Sequence, residues 1–363
     1  MSRRETPSPK RSELQGLTTG TPLAECRDVQ PSKNILITGA GGPAAIAFAR
    51  ALEGAPLQIH FADADFRASG LYTVGWQQRT LVPMGREPHF VDRLFDACQR
   101  HDIDLLVPTV DAELLPIARE RTRFESAGIR VLIPRQGALE TCLDKLVLME
   151  AAMRSIPVAD FARFDESFQP EAFGFPFVVK PRRGSGSRGV RIVHDHADLA
   201  GVPRDGSYLV QAYLPGTEYS VDCFASRDGR QRHVRPRTRL KVDSGVAVCS
   251  VTATHPEIER RATRLLNALG LHGVVNLQFR EDPAGHPQLL EINPRVPGTI
   301  SLTVAAGANM PLMAVCDALG WDIPDAAPVL HPVAMVRTWQ ETFFDANDLM
   351  SPEVASDRCQ EAS

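Results

Sequence analysis

Four polar side chains near the end of the chain are spaced so that two neighbouring strands would bring them together. Gln278 lies in the segment N-L-Q-F, while Glu291, Asn293 and Arg295 alternate along L-L-E-I-N-P-R. Both segments are predicted to be strands, joined by the turn-forming loop E-D-P-A-G. Because alternate residues of a strand share a face, pairing would align Gln278 with Glu291 and put the other two in the same row. Oxygen ligands suit Mg²⁺, and a nearby guanidinium suits a phosphate.

A glycine-rich loop lies upstream of these side chains. An apolar strand is predicted to deliver Lys180, and a second strand follows after Gly184, Gly186 and Gly189. Glycines let backbone N–H groups converge on an anion, and the lysine adds a positive charge. This is not a Walker A loop, because its residue order is absent and no helix follows directly. Alone, such a hairpin is often only structural. Together with the oxygen ligands, it predicts the triphosphate end of an ATP site.

A third segment, Y-L-V-Q-A-Y-L-P-G-T-E-Y-S-V-D, lies between the other two. A predicted strand breaks at L-P-G-T and resumes at Glu218, which places Glu218, Ser220 and Asp222 on one face. Gln211 and Glu218 are the polar side chains that we expect to contact adenine and ribose. Each of them, considered alone, is equally compatible with an ordinary exposed strand residue.

Taken together, the three motifs resemble those of the ATP-grasp superfamily, and they are most similar to its branch related to the large subunit of carbamoyl-phosphate synthetase. The resemblance covers roughly residues 33–345. It implies a combined α/β and α+β fold, in which an N-terminal Rossmann-like parallel α/β unit precedes a two-lobed ATP-grasp domain. One departure is Ala212, where members of the family often carry a carboxylate. This departure weakens the assignment of Gln211 to adenine.

The resemblance also implies a role for each candidate residue. Lys145 and Lys180 would contact the phosphates, and the loop 185–189 would cover them. Glu218 would bind the ribose hydroxyls, and Arg295 would face the transferred phosphoryl group or the acyl phosphate. The full implied nucleotide-binding set is Lys145, Lys180, Ser185, Gly186, Ser187, Gly189, Gln211, Tyr213, Glu218 and Gln278. The implied magnesium ligands, for two Mg²⁺ ions with Mn²⁺ as an alternative, are Gln278, Glu291 and Asn293.

The sequence pattern divides the chain into four segments. Residues 1–32 are rich in Ser, Thr, Pro and Arg without periodicity, and we expect a flexible tail. Alternating strands and helices over residues 33–135 predict the Rossmann-like parallel unit. Residues 136–345 would form the ATP-grasp domain, and residues 346–363 are expected to be a second flexible tail.

Individual elements follow from hydrophobic periodicity and capping residues. The predicted strands of the first unit are 35–38, 57–61, 105–108 and 130–133. The predicted helices are 44–53, 90–100, 112–125 and 144–155, the last with Asp144 as its N-cap. A further amphipathic helix is expected to follow Pro256 and to end at Gly270.

The first unit contains a competing motif. Gly39, Gly41 and Ala44 follow a strand, with Asp63 further on, and this pattern approximates the dinucleotide-binding fingerprint. An NAD(P)-dependent oxidoreductase is therefore an alternative hypothesis. We favour the interpretation in which these glycines serve only the tight packing of strand against helix.

A row of cations lies in the segment V-R-P-R-T-R-L-K-V-D. Arg235, Arg237, Arg239 and Lys241 would share one face of a strand. A solvated strand face is the usual explanation for such a row. The alternative is that Arg237 and Arg239 bind the substrate carboxylate or the transferred phosphate, and we include both as candidate catalytic residues.

Bulk properties exclude several classes of protein. A net charge of -4 over 363 residues gives no reason to expect nucleic acid or anionic membrane as a partner. The seven cysteines form no C-x-x-C pair, which indicates a reducing, cytoplasmic compartment. No apolar stretch approaches the length of a spanning helix, and no secretory signal is recognisable. A homodimer stays open.

We therefore expect an ATP- and Mg²⁺-dependent ligase that activates a small carboxylate as an acyl phosphate for attack by an amine, giving an amide or peptide bond, ADP and phosphate. The substrates would be selected by the N-terminal unit and by the loops P-G-T and A-A-G near the end of the chain. A nucleotide-binding protein without catalytic activity is a further alternative, which the presence of Lys180, Glu291 and Asn293 opposes.

Overall fold

The computed structural model describes residues 32–184, 186–243, 245–328 and 331–349. The predicted tails, residues 1–32 and 346–363, lie outside the described residues except for residue 32 and residues 346–349. The candidate loop residue Ser185 also lies outside them. Within the described ranges, no helix is both long and apolar enough to cross a membrane.

The first part of the chain is a parallel sheet with helices packed against it. Its elements are β1 (Lys33–Thr38), α1 (Pro43–Arg50), β2 (Leu57–Asp63), β3 (Arg79–Leu81), α2 (Phe90–Arg100), β4 (Leu105–Val107), α3 (Asp111–Arg119), α4 (Arg121–Ser126) and β5 (Arg130–Val131). The strand order is β3-β2-β1-β4-β5, and every neighbouring pair is parallel. The predicted Rossmann-like parallel unit is confirmed.

Three of the predicted helices differ from those observed, and one of them, expected over 144–155, spans Lys145–Ala152. The helix expected over 112–125 is split into α3 and α4, because Glu120 leaves the helical conformation with φ -100° and ψ 12°. Pro116 lies inside α3 and lacks the N–H group that a helix interior requires, which weakens this helix. The helix expected over 44–53 ends at Arg50. Periodicity alone did not show either break.

The second part of the chain forms two antiparallel sheets. Its elements are α5 (Gln136–Cys142), α6 (Lys145–Ala152), β6 (Phe161–Asp165), α7 (Pro170–Phe173), β7 (Phe177–Pro181), β8 (Arg191–Val193), β9 (Asp205–Ala212), β10 (Glu218–Ala225), β11 (Arg232–Asp243), β12 (Val246–Thr252), α8 (Pro256–Ala268), β13 (Gly273–Glu281), β14 (Pro287–Asn293), α9 (Ile300–Ala305), α10 (Met310–Leu319) and β15 (Ala334–Val336). The small sheet has the order β6-β9-β7-β8, and the large sheet has the order β14-β13-β10-β11-β12-β15.

Local signals in this part of the sequence match the structure. The side chain of Asp144 caps α6 by accepting from the N–H groups of Leu146 and Val147. Helix α8 follows Pro256 as predicted, and Gly270 just beyond it has φ +61°, the left-handed conformation that terminates helices. The exact domain boundaries stay a prediction.

The parallel unit and the large sheet share one hydrophobic core. Phe48 and Phe61 from the first unit are buried in the same cluster as Val274 of β13 and Met313 of α10. Burial of large apolar side chains across this junction stabilises one arrangement of the two parts. The junction therefore fixes the carboxyl edge of the parallel sheet relative to the large sheet.

A buried histidine lies in the first unit beside a second histidine. His60 in β2 is 5% exposed, and neither ring nitrogen has a hydrogen-bond partner in the described part of the chain. Its ring lies 5.2 Å from that of His101. Burial, and then the positive charge of His101, lower the pKa of His60 from 6.5 to about 4. The unfolded chain therefore binds this proton more readily than the folded protein does.

We expect the contribution of His60 to the free energy of unfolding to fall as the pH drops below 6.5, the pKa of a histidine in the unfolded chain, and to level near the folded pKa of about 4. One group contributes a slope of at most about 1.4 kcal/mol per pH unit. His60→Leu should flatten the slope, while His194→Leu, at an exposed position, should not. Urea unfolding across this pH range measures the effect, and an unchanged slope in His60→Leu would contradict it.

Candidate active site

A cavity of about 230 Å³ lies between the small and the large sheet. Polar side chains from both sheets and from α6 line it. The candidate residues among them are Lys145, Lys180, Ser187, Gln211, Tyr213, Glu218, Arg239, Gln278 and Glu291. The structure therefore brings most of the sequence-predicted nucleotide set to one place.

The oxygen-bearing side chains lie on adjoining strands, as predicted. Gln278 of β13 is directly opposite Glu291 of β14, and Asn276 is opposite Asn293. The amide nitrogen of Asn293 donates to Glu291 Oε1 at 3.3 Å. A carboxylate with neighbouring amide oxygens fits the hard, oxygen-preferring Mg²⁺. The coordination itself stays a prediction.

Strand β14 carries a bulge immediately before Glu291. Gln278 pairs with Glu291 but the next residue, Phe279, pairs with Leu289, so Leu290 has no partner in β13. Its carbonyl oxygen instead accepts a hydrogen bond from Lys180 Nζ at 3.0 Å. Bulges of this kind re-aim groups beside active sites. This one joins the lysine of the small sheet to the strand that carries Glu291.

Lys180 is nearly inaccessible to solvent. Its residue is 6% exposed. Burial lowers the pKa of the ammonium group to about 8, the charge of Glu291 opposes this shift, and the charge of Lys145 adds to it. A buried ammonium group needs hydrogen-bond acceptors. Gln211 supplies one, because its Oε1 lies 2.8 Å from Lys180 Nζ.

The contacts of Gln211 differ from the predicted contact with adenine. Its residue is 1% exposed, its amide oxygen accepts from Lys180, and its amide nitrogen donates to the carbonyl oxygen of Leu289 at 2.9 Å. Both ends of the amide are thus used inside the protein. These contacts hold Lys180 in place, and the contact of Gln211 with adenine stays a prediction.

Lys145 is positioned by two charged residues, Arg182 and Asp144, which the sequence analysis did not assign to the site. Arg182, just beyond Lys180, donates from Nε and Nη2 to both carboxylate oxygens of Asp144, at 3.0 and 2.8 Å. Asp144 also caps α6, which begins at Lys145. Lys145 Nζ then reaches Gly184 O at 2.9 Å and Glu291 Oε2 at 3.4 Å. The only feature of the sequence that pointed to this arrangement was Asp144 as a predicted helix N-cap.

Arg239 connects three parts of the cavity wall. Its Nη1 lies 2.5 Å from Glu218 Oε1 and 3.2 Å from Gln278 Oε1, and its Nη2 lies 2.9 Å from Gly245 O. Gly245 in turn packs on the glycine loop, since a Cβ atom at this position would lie 2.9 Å from Gly186 Cα. Arg239, which is predicted to bind the substrate carboxylate or the transferred phosphate, thus lies beside Glu218, the predicted ribose ligand, and Gln278, a predicted metal ligand.

Arg237 lies apart from the cavity, in contrast to its predicted catalytic role. Its side chain is 2% exposed and forms an ion pair with the fully buried Asp222, with Nη2 to Oδ1 at 3.1 Å. Asn276 and Thr303 donate to the same carboxylate. Because Thr303 lies in α9 and donates to Asp222 of β10, this network holds α9 against the large sheet. The predicted row of cations also ends early, because register shifts on either side of Lys241 interrupt the strand pairing.

Arg295 follows β14 and points towards the parallel unit. Its Nε and Nη2 donate to the two carboxylate oxygens of Asp111, at 2.7 and 3.0 Å. Bidentate pairs of this type fix orientation as well as charge. Asp111 begins α3, at the carboxyl edge of the parallel sheet. The predicted phosphoryl-facing arginine is thus held by the first unit.

The dinucleotide-like motif is used for internal packing. The carboxylate of Asp63, which would bind a ribose in a dinucleotide enzyme, accepts from the N–H groups of Gly41 and Asp65 at 2.8 and 2.9 Å. Gly39 has φ +68°, and a Cβ atom there would lie 2.6 Å from Val110 Cγ2. These glycines are required by close packing, so the geometry gives no support to the oxidoreductase alternative.

Two family models match the chain. Residues 205–341 match "ATP-grasp in the biosynthetic pathway with Ter operon", and residues 35–132 match "PylC-like, N-terminal domain". The chain is 31% identical over 163 residues to a carbamoyl phosphate synthase large chain of Xylella fastidiosa, covering 38% of this chain and 15% of that protein. It is 34% identical over 108 residues to a D-alanine–D-alanine ligase of a Thermotoga species, covering 27% and 36% respectively. The chain thus spans little of either relative's length.

Solved structures show the same fold. The N5-carboxyaminoimidazole synthetase of Staphylococcus aureus, complexed with ADP, superimposes with a TM-score of 0.69. The match covers 85% of this chain and 83% of that chain at 15% identity. The identity is low, so the likeness supports the fold alone.

Replacing Gln211 should test its role in holding Lys180. Gln211→Leu removes an acceptor from a buried ammonium group and strands the Leu289 carbonyl, so we expect unfolding to become easier by roughly 1–3 kcal/mol. We also expect Mg-ATP to bind about tenfold more weakly. Thermal melting and calorimetric titration measure the two effects. Gln231→Leu is the matched control, because Gln231 Oε1 has no hydrogen-bond partner among the described residues. Equal behaviour of the two variants would contradict this role.

Proposed function

Since the chain belongs to the ATP-grasp superfamily, we propose that it is an ADP-forming ligase that joins a carboxylate to an amine. The observation that carries the proposal is the convergence of Lys180, Lys145 and Glu291 in a cavity between two antiparallel sheets. Lys145 and Lys180 carry positive charge suited to a triphosphate, and Glu291 carries oxygen atoms suited to its metal.

The nucleotide would lie in this cavity with its phosphates towards Lys145 and Lys180. The glycine loop, including Gly186, Ser187 and Gly189, supplies backbone N–H groups around them. Gly186 and Gly189 have φ of +70° and +75°, which glycine adopts without strain. Ribose hydroxyls would replace Arg239 as the partner of Glu218, because a carboxylate is a good acceptor for a diol.

Gln278, Glu291 and Asn293 would hold magnesium, and we propose two ions, with Mn²⁺ as a substitute. Bound at these oxygens, the metal would supply positive charge to the phosphate oxygens during transfer. Lys145 Nζ lies 3.4 Å from Glu291 Oε2. It would therefore partly balance the negative charge of this carboxylate.

The reaction proposed has two steps. A carboxylate oxygen of the first substrate forms a bond to the γ-phosphorus as the bond to the β,γ-bridging oxygen breaks, which releases ADP. An amine nitrogen then attacks the acyl carbon, phosphate leaves, and the amine loses a proton. Arg295 and Arg239 would stabilise the charge that develops on the transferred group, an effect worth roughly 10²–10³ in rate for one well-placed donor.

Further features of the proposal follow from the sequence. We propose small-molecule carboxylate and amine substrates and a cytoplasmic location, supported by the cysteine pattern and the balanced charge. A homodimer stays an open expectation.

An ADP-release assay tests the function directly. The protein is incubated with Mg-ATP and pooled small carboxylates, with and without pooled amines and amino acids, and the products are identified by mass spectrometry. We expect ADP release that depends on both pools and an amide product. ADP release with no amide product in any pool would contradict ligation, and no Mg-ATP binding would contradict the site.

Glu291→Gln is the sharpest test of the metal face. It retains shape but removes the charge, so we expect turnover to fall about 10²-fold or more, with little change in melting temperature without ligand. The stabilisation that Mg-ATP gives the folded protein should shrink. Glu150→Gln makes the same change at an exposed position of α6, and it should behave like wild type. Full activity and full Mg-ATP stabilisation in Glu291→Gln would exclude this residue as a ligand.

A further inference from the structure

A second cavity, of about 460 Å³, lies towards the start of strand β11. Its wall is formed by β11, by the end of β12 and by helices α8 and α9, and among the described residues it shares none with the nucleotide cavity. Arg235 lines the second cavity and Arg239 lines the nucleotide cavity, so about 14 Å of strand separates these two positions. A cavity of this volume is large enough for a small molecule.

Arg235 brings to this cavity a cation that has no carboxylate partner in the described part of the chain. Its Nε is buried without an acceptor, and its Nη1 donates to the carbonyl oxygen of the preceding residue, Val234, at 3.3 Å. The carboxylate opposite it in the sheet, Asp222, pairs with Arg237 instead. A charged donor without an acceptor costs free energy. The Nη2 group of Arg235 is thus left for an acceptor from outside the chain.

Glu259 brings an anion to the wall of the same cavity. It lies in the first turn of α8, and its Oε1 accepts from the backbone N–H of His255 at 3.3 Å. Within the described ranges, no Lys or Arg forms an ion pair with it, and it does not pair with Arg235. The cavity therefore presents a cation and an anion that are separate from one another. Such a pattern complements a ligand that carries both charges.

The rest of the described wall is mostly uncharged. His331, which is exposed, is the other titratable lining residue that the structure describes, and threonines contribute hydroxyl groups. Sites for small molecules combine apolar walls with a few polar groups that fix orientation. The carbon skeleton of a ligand would contact the apolar lining residues, which include Val234, Pro236, Ala253 and Ala306.

A buried network lies between the second cavity and the nucleotide cavity. Arg237 is two residues from both Arg235 and Arg239, and its side chain is 2% exposed and paired with Asp222. Thr303, which donates to Asp222 Oδ2 at 2.6 Å, itself lines the second cavity. A ligand that is a few atoms long would not extend across this network. The second cavity is therefore distinct from the site where the amine substrate would react.

We propose that the second cavity binds a free amino acid as a zwitterion, with its carboxylate on the guanidinium of Arg235 and its ammonium group on the carboxylate of Glu259. The fork of an arginine matches a carboxylate, and hydrogen bonds between charged groups are stronger than neutral ones. This inference goes beyond the proposed ligation and does not depend on it, because the site lies outside the nucleotide cavity.

Calorimetric titration of the full chain without nucleotide tests this site. The probes are alanine, valine, β-alanine and γ-aminobutyrate, each compared with the acid that lacks its amino group and with the amine that lacks its carboxylate. We expect at least one amino acid to bind about tenfold or more tightly than both matched compounds, because each of these loses one charge contact. No binding by any of the four amino acids, or equal affinities within every matched set, would overturn the proposal.

Two substitutions separate the two contacts. Arg235→Gln should lower the affinity for the bound amino acid to that of its matched amine, and Glu259→Gln should lower it to that of its matched acid. Arg232→Gln, at an exposed position of the same strand, is the control and should keep the wild-type affinity. An amino acid that binds Arg235→Gln and Glu259→Gln as tightly as wild type would be bound elsewhere, and this result would overturn the proposal.

A further variant covers the case in which Arg235→Gln is unfolded by circular dichroism. Arg235→Lys keeps the charge without the fork, so the affinity for the amino acid should fall by a smaller factor. An unchanged affinity in Arg235→Lys would overturn the assignment of the carboxylate to the guanidinium of Arg235.

Discussion

The buried ammonium group of Lys180 is the constraint on which the rest of the site depends. Removing such a group from water costs roughly several kcal/mol unless acceptors replace the lost hydration. The protein supplies them with Gln211 and with the carbonyl of Leu290, which the bulge in β14 leaves unpaired. Because Leu290 immediately precedes Glu291, the same contact fixes the lysine of the small sheet relative to the carboxylate of the large sheet.

Charged side chains of the site form ion pairs with one another. Lys145 accompanies Glu291, Arg239 accompanies Glu218, and Asp111 accompanies Arg295. A nucleotide with its metal would exchange these partners for phosphate, ribose and metal contacts. Such exchange would pair Lys145 with phosphate and Glu291 with the metal, which limits the desolvation cost of these two charges on binding.

The sequence predicted the parts that follow local rules. Alternation in N-L-Q-F and L-L-E-I-N-P-R was enough to align Gln278 with Glu291, because a hairpin register fixes both faces. The two-residue period of a strand could not show which cation of the row would face the cavity. Arg237 is buried in an ion pair with Asp222, a residue of another strand. The role of Gln211 was likewise hidden, since its partners Lys180 and Leu289 are distant in the chain. The burial of Arg237 and the partners of Gln211 depend on tertiary contacts, which a sequence pattern does not reveal.

The cavity between the two antiparallel sheets is the proposed site for ATP with a metal, while the glycines of the first unit would serve only packing. Calorimetric titration of the full chain with ATP, with and without Mg²⁺, and with NAD⁺ and NADP⁺ tests this claim most directly. We predict Mg²⁺-dependent binding of ATP and no binding of either dinucleotide. Tight binding of a dinucleotide without any binding of Mg-ATP would contradict the account and would move the site to Gly39, Gly41 and Asp63.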